Sequence, residues 1–226
     1  MQTSRDQQIT QWIGELGAAN AAQIARRFGM GRSWCYQRLH SLARDRLLEE
    51  HRLLHQQPGL YAATPDGLRW AGLGRLGTFR VSPGSFEHIT QIAHVAAELH
   101  HTLPGTEIIG ERVLRTLEAD EKMLVGSIRV GQLPGGRPAL HRPDLMIQND
   151  GKAWAVEVEL SVKAPRRLEV ICRGYARARH IHHTIYLATP AAGRAVTRAI
   201  QEVRAADRIT VLGLADLQTL ARLVGA

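Results

Sequence analysis

Apolar residues recur with a helical period over the first third of the chain. In residues 6–17, DQQITQWIGELG, Ile9, Trp12, Ile13 and Leu16 share one face, and Gly17 ends the helix. Asn20 is a good N-cap for a second helix, AAQIARRFG, in which Ile24 and Phe28 align. Gly29 and Gly31 bracket a short turn, and a third helix follows over residues 32–46. Its spacing turns Cys35, Leu39 and Leu42 inward and leaves Arg32, Ser33, Tyr36, Gln37 and His40 outward. The stretch LLEEHRLLHQQPGLYAATPDG then reads as strand, turn and strand, with Gln57-Pro58-Gly59 at the turn. Thr64 and Pro65 open a fourth helix as N-cap and first helical residue.

A Gly- and Pro-rich stretch, GLGRLGTFRVSPG over residues 72–84, separates this pattern from a different one. Residues 86–103 form a helix with Ile89, Ile92, Ala93, Ala96 and Leu99 on one side. TEIIGERVLRTL reads as a strand or a strand and turn, MLVGSIRVG as a short strand, and GQLPGGRPALHRP as a loop. DLMIQ and AWAVEVELSVK are strands joined by Asn149-Asp150-Gly151, a strong hairpin signal. The remainder alternates helix and strand; leaving aside the short candidate strand MLVGSIRVG, the order is α-β-β-β-α-β-α-β-α, an α/β arrangement.

Helix, helix, helix, hairpin, helix resembles a winged helix-turn-helix over about residues 6–75. The predicted organisation is a winged helix-turn-helix DNA-binding domain over residues 1–78, a linker over 79–84 and a second domain over 85–226. The chain has 226 residues, 29 Lys+Arg against 21 Asp+Glu, and a net charge of +8. Only Lys122, Lys152 and Lys163 are lysines; the rest of the basic residues are Arg, whose planar fork suits phosphate. A recognition helix with Arg32, Ser33, Tyr36, Gln37 and His40 exposed fits a major groove, with Arg52 and His55 on the wing reaching the backbone. The expected partner is double-stranded DNA, bound by a homodimer. No apolar run is long enough to span a membrane, and no signal peptide is evident, so a cytoplasmic location with no membrane partner is expected. Two distant cysteines, Cys35 and Cys172, exclude a disulfide scaffold and a Cys-based zinc site.

The acids of the second half carry the other candidate chemistry. On AWAVEVELSVK, Trp154, Val156, Val158, Leu160 and Val162 alternate with Glu157, Glu159, Ser161 and Lys163. Hairpin pairing would bring Asp144 near Glu157 and Glu159. Such carboxylates can hold Mg²⁺ for phosphodiester hydrolysis, with Glu111 either joining them or pairing with Arg112 or Arg115, and Lys163 can stabilise charge on the phosphate. They can also be a solvated strand face, but like charges on one face repel, so two acids with Asp144 nearby favour a site. Arg166, Arg167, Arg173, Arg177 and Arg179 follow closely, as phosphate contacts or as neutralisers of the acids. The histidine clusters lack zinc-site spacing and are expected to be solvated or packed.

Pro143-Asp144 followed by Glu157-x-Glu159, on a hairpin between helices, resembles the PD-(D/E)XK nuclease fold over about residues 85–190. Glu159 stands where that family usually has Lys. The resemblance implies an α+β chain, a winged helix-turn-helix followed by an α/β nuclease-like domain. The motifs GERVLR, HRPDLMI, AVEVELSVK and RLEVICRGYARA, following a winged helix, are similar to those of the replication-relaxation family. That resemblance implies a DNA-binding protein of a plasmid or integrative conjugative element, acting in mobilisation, replication or transcription control, with relaxosome proteins as further partners. The alternative it leaves open is a Mg²⁺-dependent endonuclease using Asp144, Glu157, Glu159 and Lys163.

Overall fold

The structure is a computed structural model that describes residues 2–225. The fold is mixed α+β, and the chain divides into two compact units, Met1–Pro104 and Gly105–Ala226. No helix among the described residues is long and apolar enough to cross a membrane.

The first unit contains α1 (Ser4–Leu16), β1 (Ala18–Asn20), α2 (Ala21–Phe28), α3 (Arg32–Arg44), β2 (Leu48–His51), β3 (Leu60–Ala63), α4 (Pro65–Trp70) and α5 (Phe86–Thr102). Its helix ends follow the sequence signals. Thr3 and Asp6 form a capping box on α1, as do Asn20 and Gln23 on α2. Gly17 and Gly29 end these helices with positive φ, 110° and 61°. Thr64 accepts the Gly67 amide at 3.0 Å, with Pro65 at the first position of α4. Ile9, Trp12 and Ile13 are buried on the inner face of α1, each contributing about 1.5–3 kcal/mol by leaving water. The three strands form an antiparallel sheet in the order β1-β3-β2. Strand β1 is absent from the sequence expectation because three residues are too few to show a period.

The expected linker is packed chain. Val81 is buried, and Phe79 packs against a cluster of Ala18, Leu60, Val81 and Phe86. A Cβ on Gly17 would stand 2.7 Å from the Phe79 ring, so glycine lets this segment close on the helix end. The boundary accordingly falls at Pro104, not at residues 79–84. Helix α5 belongs to the first unit because α2 holds it: Gln23 Nε2 donates to the Thr90 carbonyl at 2.7 Å, and Arg26 grips Glu98 with bonds of 2.7 and 2.8 Å. Glycine content marked a break that Phe79 and Val81 fill.

The second unit contains β4 (Glu107–Gly110), α6 (Glu111–Glu121), β5 (Ile128–Gln132), β6 (Pro138–His141), β7 (Leu145–Asn149), β8 (Lys152–Glu159), α7 (Pro165–Arg177), β9 (His183–Ala188), α8 (Pro190–Val203), β10 (Ile209–Gly213) and α9 (Leu217–Val224). Its five-stranded sheet runs β10-β9-β8-β7-β4. The β4, β7 and β8 neighbours are antiparallel, and β8, β9 and β10 are parallel. The β7–β8 turn is Asp150-Gly151, both at positive φ, as the hairpin signal required.

Two expectations are corrected here. ERVLRTLEADE is helix α6, with Leu114 fully buried; the adjoining Ile108-Ile109 extended its apparent strand. The segment read as a Gly/Pro loop contains β6, which pairs with β5 in a separate two-stranded sheet. Pro138 is tolerated because it starts an edge strand. Both connections are held by one acid: Glu118 accepts the amides of Val125, Gly126 and Ser127 at 3.2, 3.1 and 2.7 Å and meets Arg142 Nε at 3.2 Å.

Candidate nucleic-acid interface and acidic cluster

Helix α3 owes its orientation to one buried and one exposed face. Cys35, Leu39 and Leu42 are buried, while Arg32, Ser33, Gln37 and His40 are exposed and Tyr36 is half-buried. The glycine pair before it lets the chain turn sharply: Gly29 is left-handed and Gly31 caps α3. Arg38 points back into the unit. Its Nε donates to Asp6 Oδ1 at 2.9 Å, and a terminal nitrogen donates to Asp6 Oδ2, so a bidentate pair fixes α3 to α1. Asp6 is fully buried. Burial works against its charge, but the Arg38 and Thr3 hydrogen bonds outweigh it and hold the carboxyl below its ordinary value.

The exposed face of α3 carries no acid. Arg32 lies 5.9 Å from the Tyr36 ring centroid, stiffening a long side chain at the helix start. Trp34, 45% exposed, and the exposed Arg44 and Arg46 extend the surface beyond the expected set. In the β2–β3 connection, Arg52 and His55 are exposed, and Arg52 pairs with Glu50 at 3.0 Å.

The second unit brings some expected acids together and separates others. Asp144 immediately precedes β7, and its Oδ2 accepts the Val158 amide of β8 at 2.7 Å. Glu157 is therefore on the neighbouring strand, as the hairpin register required. Neither Glu157 nor Glu159 is solvated: they are 3% and 4% exposed. Strand β8 lies inside the sheet and is covered on both faces, so alternation marks two buried faces.

Each carboxylate has a protein partner. Glu157 Oε1 accepts from His141 Nε2 at 2.7 Å and from the Tyr175 hydroxyl. Glu159 Oε2 pairs with Lys163 Nζ at 2.5 Å; Lys163 lies beyond the strand end, four residues on. Glu111 opens α6 and pairs with Arg115 at 2.6 Å. Among the described residues, no group of three or more His, Cys, Asp or Glu converges on a position that could hold a metal.

This cluster has an electrostatic signature that its sequence did not show. Burial opposes a charge on His141, but the Glu157 carboxylate overcomes it and raises the imidazole above its ordinary value. Tyr175 is wholly buried. Its hydroxyl is pushed far above the usual phenol range by burial first and by Glu157 second. Cys172 beside them is pushed up to about 11 by burial, an inert thiol in the core. His141 was missed because it comes from a strand hidden in a Gly/Pro segment; Tyr175 is expected on the helix flanking the acids, but its place on the inner face of α7 makes it a partner of Glu157. Arg166, Arg167 and Arg173 are exposed on α7.

A family model described as replication-relaxation matches residues 11–194. The fold comparison finds a crystal structure of protein VC1899 from Vibrio cholerae at 12% identity and TM-score 0.35, covering 100% of this chain. The chain spans 58% of the length of that protein. No curated protein matches.

Proposed function

The chain belongs to the replication-relaxation family, and from that premise we propose that it is a double-stranded DNA-binding protein serving the replication or mobilisation of a mobile element. The first unit is read as a winged helix-turn-helix, with α3 as recognition helix and the β2–β3 hairpin as wing. The observation that carries the reading is the exposed face of α3, which presents Arg32, Ser33, Gln37 and His40 with no acid among them. Arg and Gln are the side chains suited to guanine and adenine edges, and Ser and His to phosphate or mixed contacts. Arg52 on the wing would contact the backbone after giving up Glu50. Two copies on a two-fold site account for the expected dimer, and relaxosome proteins or transcription control are roles such a dimer can serve.

The test selects duplexes from a randomised pool and compares the wild type with Arg32→Ala and Gln37→Ala. Each variant should lose about 1–3 kcal/mol and relax the preference at one base position. Uniform loss across all sequences would assign these side chains to phosphate, and unchanged binding would remove α3 from the interface.

A second reading, a PD-(D/E)XK-like metal-dependent endonuclease, is favoured by one observation: Asp144 and Glu157 do stand on adjacent chain segments at one end of β7 and β8. The internal partners of Glu157 and Glu159 weigh against it. Supercoiled plasmid with Mg²⁺ or Mn²⁺ decides: nicking lost in both Asp144→Asn and Glu157→Ala supports the enzyme, and intact plasmid rejects it.

A further inference from the structure

A groove of about 610 Å³ opens between β5 and α7 in the second unit. Two backbone features shape it. Gly174 lets the strand approach the helix: a Cβ there would stand 2.8 Å from Ile128 Cδ1 and 3.2 Å from the Arg129 carbonyl. A bulge lies between Arg129 and Gly131, leaving Val130 unpaired with β6, and bulges re-aim neighbouring side chains. On α7, Val170, Arg173, Gly174 and Arg177 follow the spacing i, i+3, i+4, i+7 and form one stripe along the groove.

Arg129, Arg173, Arg177 and Arg179 line this groove, and no acid does. All four are exposed. Arg26, Arg38 and Arg115 elsewhere are ion-paired. Among the described residues none of the four groove arginines has an acidic partner within 4.0 Å. The walls between them are apolar, from Val130, Val170 and Ile128. Four unneutralised guanidinium groups around an apolar hollow call for a ligand that is anionic along one edge and apolar along the other. A duplex keeps the apolar faces of its bases stacked inside, whereas a single strand can turn base faces and sugars toward an apolar wall.

We propose that this groove binds a single strand of nucleic acid, its phosphates on the four arginines and its bases or sugars against the apolar wall. The site stands on the second unit alone and does not depend on duplex reading by α3.

The full-length protein is titrated into labelled (dT)20, followed by anisotropy at several salt concentrations, as wild type and as the double variant Arg173→Gln/Arg177→Gln. The control is an equal charge loss on α8, Arg194→Gln/Arg198→Gln. Single-strand binding releases roughly 0.7 counterion per phosphate contact, so losing two contacts should flatten the log–log salt slope by about 1.4. Affinity for (dT)20 should fall at least about tenfold. The α8 control should match the wild type, and duplex binding by the groove variant should be retained. Unchanged (dT)20 binding in the groove variant overturns the proposal, as does an equal loss in the α8 control. Displacement of (dT)20 by an equal concentration of a ten-residue polyglutamate or of dTMP also overturns it, in favour of an acidic peptide or a free nucleotide. Failure of the duplex selection with Arg32→Ala leaves these outcomes unaffected, so the two readings fail separately.

Discussion

Replacing Glu157 with Gln removes one negative charge from a site that is 3% exposed and keeps its shape. The same oxygen accepts from His141 and from Tyr175. A hydrogen bond to an ionised acceptor contributes about 1.5–3 kcal/mol, against about 1 for a neutral one. Two such exchanges put the loss near 2 kcal/mol at neutral pH or below. The pH dependence should invert as well. In the native protein the His141 imidazole is raised, so its contribution is complete below the ordinary value of about 6.5 and is lost as pH rises through the raised one. In Glu157→Gln, burial acts with little opposition, His141 falls below its ordinary value, and the stability of the second unit declines as pH drops below about 6.5. Histidine NMR titration gives the His141 value directly, and calorimetry at several pH values gives the stability. A His141 titration unchanged by the substitution, or native stability at pH near 6, would refute the buried pair. The same experiment addresses the metal: an Mg²⁺-dependent rise in the native unfolding midpoint, absent from the variant, would show Glu157 exchanging its partners for the ion.

Three further outcomes follow from the first unit. Arg38→Met leaves the Asp6 carboxylate buried without its cation and should cost about 3 kcal/mol in denaturant unfolding; Asp6→Leu/Arg38→Met should recover most of it. Gly67→Ala should destabilise by about 3 kcal/mol or more, because the added Cβ would stand 2.0 Å from the Leu47 carbonyl oxygen, a backbone atom that cannot turn aside; a midpoint equal to the native one would mean that α4 is free to shift. Burial, with Arg27 adding to it, lowers His100 to about 4, so the first unit should lose stability as pH falls from about 6.5 toward 4, by no more than about 3 kcal/mol, and His100→Gln should abolish that slope.

The local elements were largely legible because their signals are local. Capping residues, the glycines after α1 and α2, and the Asp150-Gly151 turn act over a few residues and appeared where the chain placed them. Helical period alone sorted Cys35, Leu39 and Leu42 from Arg32, Ser33, Gln37 and His40. The motifs in GERVLR, HRPDLMI and AVEVELSVK sufficed for the family.

Burial and charge pairing in this chain depend on residues distant in sequence. Alternation on β8 cannot say whether its polar side meets water; the neighbours β7 and β9 and the helix above them decide that, and they buried Glu157 and Glu159. Hairpin register put Asp144 beside β8, but it could not supply His141 and Tyr175, contributed by β6 and α7. The unit boundary moved to Pro104 for the same reason, since Gln23 and Arg26 reach residues 67 and 72 positions away. Local signals fix backbone conformation within a turn or two, whereas burial and charge partners are set by long-range contacts that no short window of sequence contains.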